Sequence, residues 1–518
     1  MIALAGASGA VTSRLNPVVA DYREALVVQH LPLSLNPLLG GREDPAVRDV
    51  GGLLYRSLLR LDDRAVPVPD LSSAVGVSGD GLSYRFTMPE GRRWSDGSPL
   101  TGADVVATTA LVQSPQFPDA ALAGAWQGVT VSSDASSVTF TLGAPRAAFA
   151  VAVAGLPILP ARAITGHPVS DLLAHQARPM PTSGPYRLGS VDPSLLRLEP
   201  NRYAPVAPRM HRVELHLVPN FAIGLQALSA GLVDGLATAT PEQRSQVARL
   251  PQVTVHDVLT FRFTDLIFNE RTPGLEDPAV RHAIAGAIDR QALVDGALRG
   301  AGRPQQDAIP EGIVWARGSR VERPDLAAAG RALDQAGFAM GGDGVRRRGG
   351  VALSYTLTLP AAVPLPAVGR AIAQQLAPLG VVLTLAPVGS DQFETSVITP
   401  HAFQLTLADW EGDADPDVSS FWRSNAVPPQ GLNVSGAPPD AFLDQALDSL
   451  ATVTDLQLRA QAAARVNAQL TDDAPAVFLY APTVGVAVRS AQPGVVLPPT
   501  GGSGARWADL AGWAERGR

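Results

Sequence analysis

The sequence predicts an α/β protein built as two or more lobes. Its 518 residues are too many for one small core. Several short segments alternate apolar and polar residues with period two, the mark of sheets with one buried face. Between Leu353 and Leu407 the order strand, helix, strand, further strand forms a βαβ unit, which requires parallel pairing.

Taken in chain order, SYRFTM sets Tyr84, Phe86 and Met88 on one face against Arg85 and Thr87 on the other. SVTFTL repeats the pattern with Val138, Phe140 and Leu142. The longest apolar run, Ala147–Ile164, is broken by Pro157, Pro160 and Arg162 and is short for a membrane span. In EDPAVRHAIAGAIDR, Asp277 is placed to cap a helix and Pro278 sits in its first turn. Val280, Ala283, Ile284, Ala287 and Ile288 then follow helical spacing. SYTLTL alternates Tyr355, Leu357 and Leu359, and the helix PAVGRAIAQQLAPLG closes on Gly380. FQLTLADW is the last strand of the unit, with Phe403, Leu405 and Leu407 against Gln404 and Thr406. The first half reads as short strands and turns with fewer helices, without short-period repeats or a low-complexity linker.

Composition excludes several chemistries. The chain has no cysteine, which removes disulfides, thiolate catalysis, iron–sulfur clusters, Cys-based zinc sites and the lipid-bearing cysteine of a bacterial lipoprotein. Hydrophobic content of 46% rules out disorder. The net charge of −7 and the lack of a basic run give no footprint for nucleic acid. Every basic residue is arginine. No nucleophile elbow, phosphate loop or zinc-protease motif is present, so no catalytic residue, metal or cofactor is expected. The start, MIALAGASGAVTS, lacks a basic opening and a full hydrophobic region, and reads as a missing or truncated export signal.

The stretch DWEGDADPD gathers Asp409, Glu411, Asp413, Asp415 and Asp417 beside Trp410. It follows the carboxyl end of a strand, where open α/β sheets bind ligands. Asp413, Asp415 and Asp417 have the alternate spacing of a calcium loop. However, Pro416 fills the fourth position, the sixth is not glycine, and Ser424 replaces the bidentate glutamate. A glycosidase pair has no other support in the chain. Local structure accounts for Asp415 as a helix N-cap ahead of Pro416. It leaves Asp413 and Trp410 unexplained.

A series of phrases then resembles the family-5 extracellular solute-binding proteins, the oligopeptide- and dipeptide-binding components of ABC importers. LSLNPLL (33–39) and VGGLLYRSLLRLDD (50–63) look like the family's opening strand, loop and first helix. WSDGSPLTGADVV (94–106) is similar to "W-S-D-G-x-P-L-T-A-x-D-V". TSGPYRL (182–188), EPNRYAP (199–205), LSAGLVDG (228–235) and LIFNERTPGLEDPAVRHAIAGAIDR (266–290) resemble further family segments in order. Single phrases are weak, but their number and order carry the likeness. In WSDGSP, Ser95, Asp96 and Gly97 supply a turn, so Trp94, Asp96 and Gly97 read as scaffold.

The resemblance implies a bilobal periplasmic-binding-protein-like fold (type II, large cluster C) with a subdomain inserted in the first lobe. Residues 1–44, 176–262 and 481–518 would form lobe I, 45–175 the insertion, and 263–480 lobe II. It implies a monomer outside the cytoplasm that captures a short peptide or similar small solute for a membrane ABC permease with its ATPase subunits. In peptide-binding members an aspartate in a W-x-x-D setting binds the peptide's ammonium. Here that pattern is Trp410-Glu411-Gly412-Asp413. Asp413 is therefore expected to grip the ammonium, and Trp410 and Trp422 to wall the pocket. His401 and Arg423 are candidates for the ligand's carboxylate by proximity in sequence. The segment 431–447 departs from the family pattern at Ser435-Gly436-Ala437, which leaves open another solute (oligosaccharide, glycopeptide, opine or metal chelate) or a sensor without transport.

Overall fold

The computed structural model describes residues 22–40, 44–208, 210–316, 318–426, 431–490, 495, 497–501 and 506–507. The N-terminal stretch read as a truncated export signal lies outside them.

Two sheets share one long strand, Ala476–Arg489. In the first sheet, Tyr22–Val27 pairs in parallel with Val213–Val218 and with Gly235–Thr238. Leu195–Pro200 and Tyr186–Asp192 extend it as antiparallel neighbours. In the second, Ser354–Pro360 pairs in parallel with Val382–Val388 and with Leu405–Glu411. The last of these runs antiparallel to Arg262–Phe268. This is the βαβ unit the sequence predicts: the helix Leu365–Leu376 makes the crossover and Gly380 closes it at φ 81. The shared strand pairs with Arg262–Phe268 through its first residues and with Val253–Leu259 and Gly235–Thr238 through its last.

The chain therefore passes between the sheets twice, near Thr260 and near Pro482, and these passages are tied together. The Thr260 hydroxyl donates to the Pro482 carbonyl at 2.9 Å and accepts from the Arg262 amide at 3.2 Å.

The cores divide accordingly. One continuous apolar cluster joins Tyr22, Leu198 and Val213 of the first sheet to Phe86, Phe140 and Trp126. Phe86 and Phe140 come from a separate four-stranded antiparallel sheet of Ala74–Val77, Ser83–Thr87, Ser137–Thr141 and Thr130–Ser133. Tyr84, Phe86, Val138 and Phe140 are buried on the face the alternation predicts. The second sheet is covered on both sides. Leu266, Leu357, Leu405 and Leu407 face one cluster, while Ile267, Ala408 and Phe478 face another. Its strands nevertheless alternate, because Thr358 and Thr406 are buried as well, the Thr406 hydroxyl donating to the Thr358 carbonyl at 2.9 Å.

Asp277 accepts from the Ala279 amide at 3.0 Å and starts the helix Pro278–Ala287, as its sequence implies. Two expectations are corrected. The opening strand is Tyr22–Val27, ahead of LSLNPLL, which forms a loop. The first half also contains more helix than its sequence suggests, in segments of 4 to 11 residues. Gly102–Val112, for example, is GADVVATTALV, apolar on nearly every side, so it shows no amphipathic stripe.

Candidate functional site

A cavity of about 580 Å³ is lined by residues of the first half together with Glu411 of the second. Its walls include Arg48, Tyr55, Arg56, Arg60 and Asp70 from the first half, and Glu411 from the end of the strand Leu405–Glu411. The halves touch around it. Arg48 and Glu411 approach to 3.7 Å, with side chains 49% and 71% exposed. That pair is screened by water and contributes little to stability. Ala65 and Val151 pack against Ala414, with Leu61 and Phe261 beside them. The Ala147 amide donates to the Ala451 carbonyl at 2.8 Å.

The strand end places each residue of the acidic stretch differently. Asp409 is held by Arg262 and accepts from the Thr264 hydroxyl at 3.5 Å. Burial raises its pKa and Arg262 opposes the rise. Trp410 lies half-buried against Phe421, ring centres 4.8 Å apart, and its indole N–H has no partner. Gly412 passes so close to the neighbouring strand that a Cβ there would stand 2.9 Å from the Phe261 carbonyl oxygen.

Asp413 is exposed at the surface, yet protein packs densely around its loop. That crowding, with the charge of Asp415, pushes its pKa up to about 6. Its carboxylate accepts from the Asp415 amide at 2.6 Å. Among the described residues no cation stands within ion-pair distance of it. Asp415 is buried and paired with Arg459, whose Nε donates to the Leu450 carbonyl at 2.9 Å. It is therefore not the N-cap expected of it. The short helix Ser419–Trp422 begins later, and Asp417 accepts from the Ser419 amide at 2.9 Å.

The other named residues are placed apart from this strand end. Trp422 is 4% exposed and packs edge-on to Phe478 in the core, its ring centre 5.8 Å away, so it forms no cavity wall here. Arg423 is engaged by Asp448 on the helix Ala441–Thr452. His401 precedes the strand Leu405–Glu411, its Nε2 2.8 Å from the Asn433 carbonyl oxygen. Seven strand residues separate it from Asp413 by about 20 Å. Trp410 and Asp413 thus share one strand end, while His401 belongs to the other. Sequence reasoning missed Arg48, Tyr55, Arg56, Arg60 and Asp70. They lie more than 340 positions before Glu411, and no local pattern links the two.

Trp94, Asp96 and Gly97 form a turn: the Gly97 amide donates to the Trp94 carbonyl at 2.8 Å, and the Trp94 ring is buried. Among the described residues no cluster of His, Asp or Glu can hold a metal, and no helix is long and apolar enough to cross a membrane.

Two α/β halves joined by two adjacent passages, with a cavity where they meet at Glu411, define a bilobal binding protein. Residues 66–430 match the bacterial extracellular solute-binding proteins, family 5 Middle, and the chain belongs to that family. It is 29% identical over 456 residues to protein XP55 of Streptomyces lividans, covering 86% of this chain and 81% of that one. It is 22% identical over 455 residues to the oligopeptide-binding protein AppA of Bacillus subtilis, covering 85% and 82%. The fold matches AppA in complex with a nonapeptide at a TM-score of 0.67 and 20% identity, covering 95% of this chain and 98% of that one. It matches the periplasmic murein tripeptide binding protein MppA, unliganded and open, at 0.78 and 18%, covering 96% of each. The family consists of periplasmic or extracellular binding proteins of ABC importers, not enzymes, and its members take peptides or related small solutes.

Proposed function

We propose that this protein captures short peptides between its lobes, as a monomer outside the cytoplasm, and delivers them to a membrane ABC permease with its ATPase subunits. The observation that carries the reading is Asp413: an exposed carboxylate, without a cation among the described residues, at a crowded strand end that also carries Trp410 and, two residues earlier, the cavity-lining Glu411. A peptide ammonium supplies the missing cation. Glu411 is the less suited partner, because Arg48 already stands 3.7 Å from it. Charge-assisted pairing of this kind contributes about 1.5–3 kcal/mol. AppA and MppA, whose names give an oligopeptide and a murein tripeptide, support the same ligand class.

We propose that, of the described residues, those within 1–44, 176–262 and 481–518 form lobe I, those within 45–175 its inserted subdomain and those within 263–480 lobe II; residues 1–21 and 508–518 lie outside the described residues. The passages near Thr260 and Pro482 act as the hinge. The test is mass spectrometry of small molecules that co-purify with the folded protein, followed by titration of the peptides found. Peptides that bind the parent and bind Asp413→Asn roughly ten- to a hundredfold more weakly support the reading. A sugar, opine or metal chelate in their place, or unchanged affinity in the variant, overturns it.

A further inference from the structure

The arginines that line the cavity bear on the part of the ligand that Asp413 does not meet. On the first lobe the strands Leu59–Leu61 and Pro67–Pro69 form a hairpin whose base brings together Arg56, Arg60 and Asp70, all of which line the cavity. Arg56 reaches the Asp70 carboxylate at 3.8 Å, with side chains only 22% and 14% exposed. Arg92 donates to the Asp70 carbonyl oxygen at 3.3 Å. The charge of Arg60 also acts on the Asp70 carboxyl, yet its guanidinium bonds only the neighbouring Leu61 carbonyl, at 3.5 Å. Among the described residues no carboxylate lies within ion-pair distance of Arg60.

Three guanidinium groups therefore surround one carboxylate, and burial raises the pKa of that carboxylate against their pull. This end of the cavity holds an excess of positive charge. From the second lobe Glu411 lines the cavity, and Ala414, next to Asp413, packs against Ala65 of the same hairpin. Tyr55, 3% exposed, also lines the cavity, with a hydroxyl that has no hydrogen-bond partner among the described residues.

We propose that Arg60, supported by Arg56, receives the ligand's terminal carboxylate, so that the site selects short zwitterionic peptides whose carboxyl end points to the first lobe. The proposal rests on the peptide reading above. It adds a direction, with the carboxyl end toward the hairpin of the first lobe. Arginine suits the task because its planar fork can bond both oxygens of a carboxylate at once. Neither His401 nor Arg423 competes for this role, since one lies at the far end of the strand and the other is held by Asp448.

The test is retention of three mixed libraries of di-, tri- and tetrapeptides by the purified protein, read by mass spectrometry: free, N-acetylated and C-amidated. Retained free peptides are then titrated against their own amides. The expected result is that amidation weakens binding roughly tenfold or more, and that Arg60→Gln removes most of this preference while free peptides still bind. Arg60 is exposed, so the variant retains the fold. Amides that bind as well as acids overturn the carboxylate assignment and leave the peptide reading standing. A preference that survives in both Arg60→Gln and Arg56→Gln assigns the carboxylate elsewhere and overturns the role of these arginines. Retention of none of the libraries defeats the peptide reading itself.

Discussion

Asp413 and Asp415 stand two residues apart and meet opposite surroundings. Asp415 is buried against Arg459 and supports the loop, whereas Asp413 is exposed and, among the described residues, has no cation within ion-pair distance. With its pKa pushed up to about 6, Asp413 is ionised at pH 7.5 and mostly protonated at pH 5. An ammonium binds the ionised form, so peptide affinity should fall roughly tenfold between those values, and Asp413→Asn should flatten the profile. Titration calorimetry at both pH values checks this; a profile equally steep in the variant refutes it. The raised pKa also means that the ionised form opposes folding. The stability gain of Asp413→Asn should therefore appear as pH rises from 4 to 7, even as binding is lost. Sequence spacing singled out Asp413 because W-x-x-D is a local pattern. It misread Asp415 as a cap, because the partner that buries it, Arg459, lies 44 residues away.

Among the elements, the strand Arg262–Phe268 carries the least expected residue. Asp265 is fully buried on the face shared with Ile267, Ala408 and Phe478, at the point where pairing with the long strand slips register. Both of its oxygens lack partners, and burial, with the charge of Asp409, raises its pKa well above the ordinary value. A folded-state pKa above the unfolded one gives stability that is present below about pH 4 and lost as pH rises. Asp265→Asn should therefore gain melting temperature relative to the parent, with the gap widening from pH 4 to pH 7. A constant gap across that range would show that the acid is not held neutral. The helix after it was legible, because Asp277 and Pro278 signal its start, whereas the strand was not read from the sequence. The short helices of the first half were not legible, since tertiary packing on several sides erases the period that sequence reading depends on.

At the scale of the whole molecule, the end of the chain and the contact between lobes are both long-range features. Arg506 is buried between Glu24 and Asp49, at 2.8 and 2.6 Å, tying the end of the chain to the first strand and to the helix Pro45–Leu54 that carries Arg48. Arg506→Met leaves two buried carboxylates facing each other without a cation. It should cost about 3–5 kcal/mol in denaturant unfolding, and a loss below about 1 kcal/mol would show that the triad is not held as described.

The contact between lobes allows a different test, because it can be disturbed without touching a charged group of the site. Ala65, in the turn between the strands Leu59–Leu61 and Pro67–Pro69, is 2% exposed and packs against Ala414 across the cleft. A large charged side chain there has no room while the lobes are together, yet reaches water once they part. Ala65→Arg should therefore leave each lobe's core intact and hold the cleft open. Peptide affinity should drop at least roughly tenfold, since contacts from one lobe alone cannot exclude water from the ammonium pair. Small-angle scattering should show a larger radius of gyration for the variant than for the parent at saturating peptide, with little change in melting temperature without peptide. A variant that binds normally and matches the parent's radius would mean that ligand capture does not need this contact.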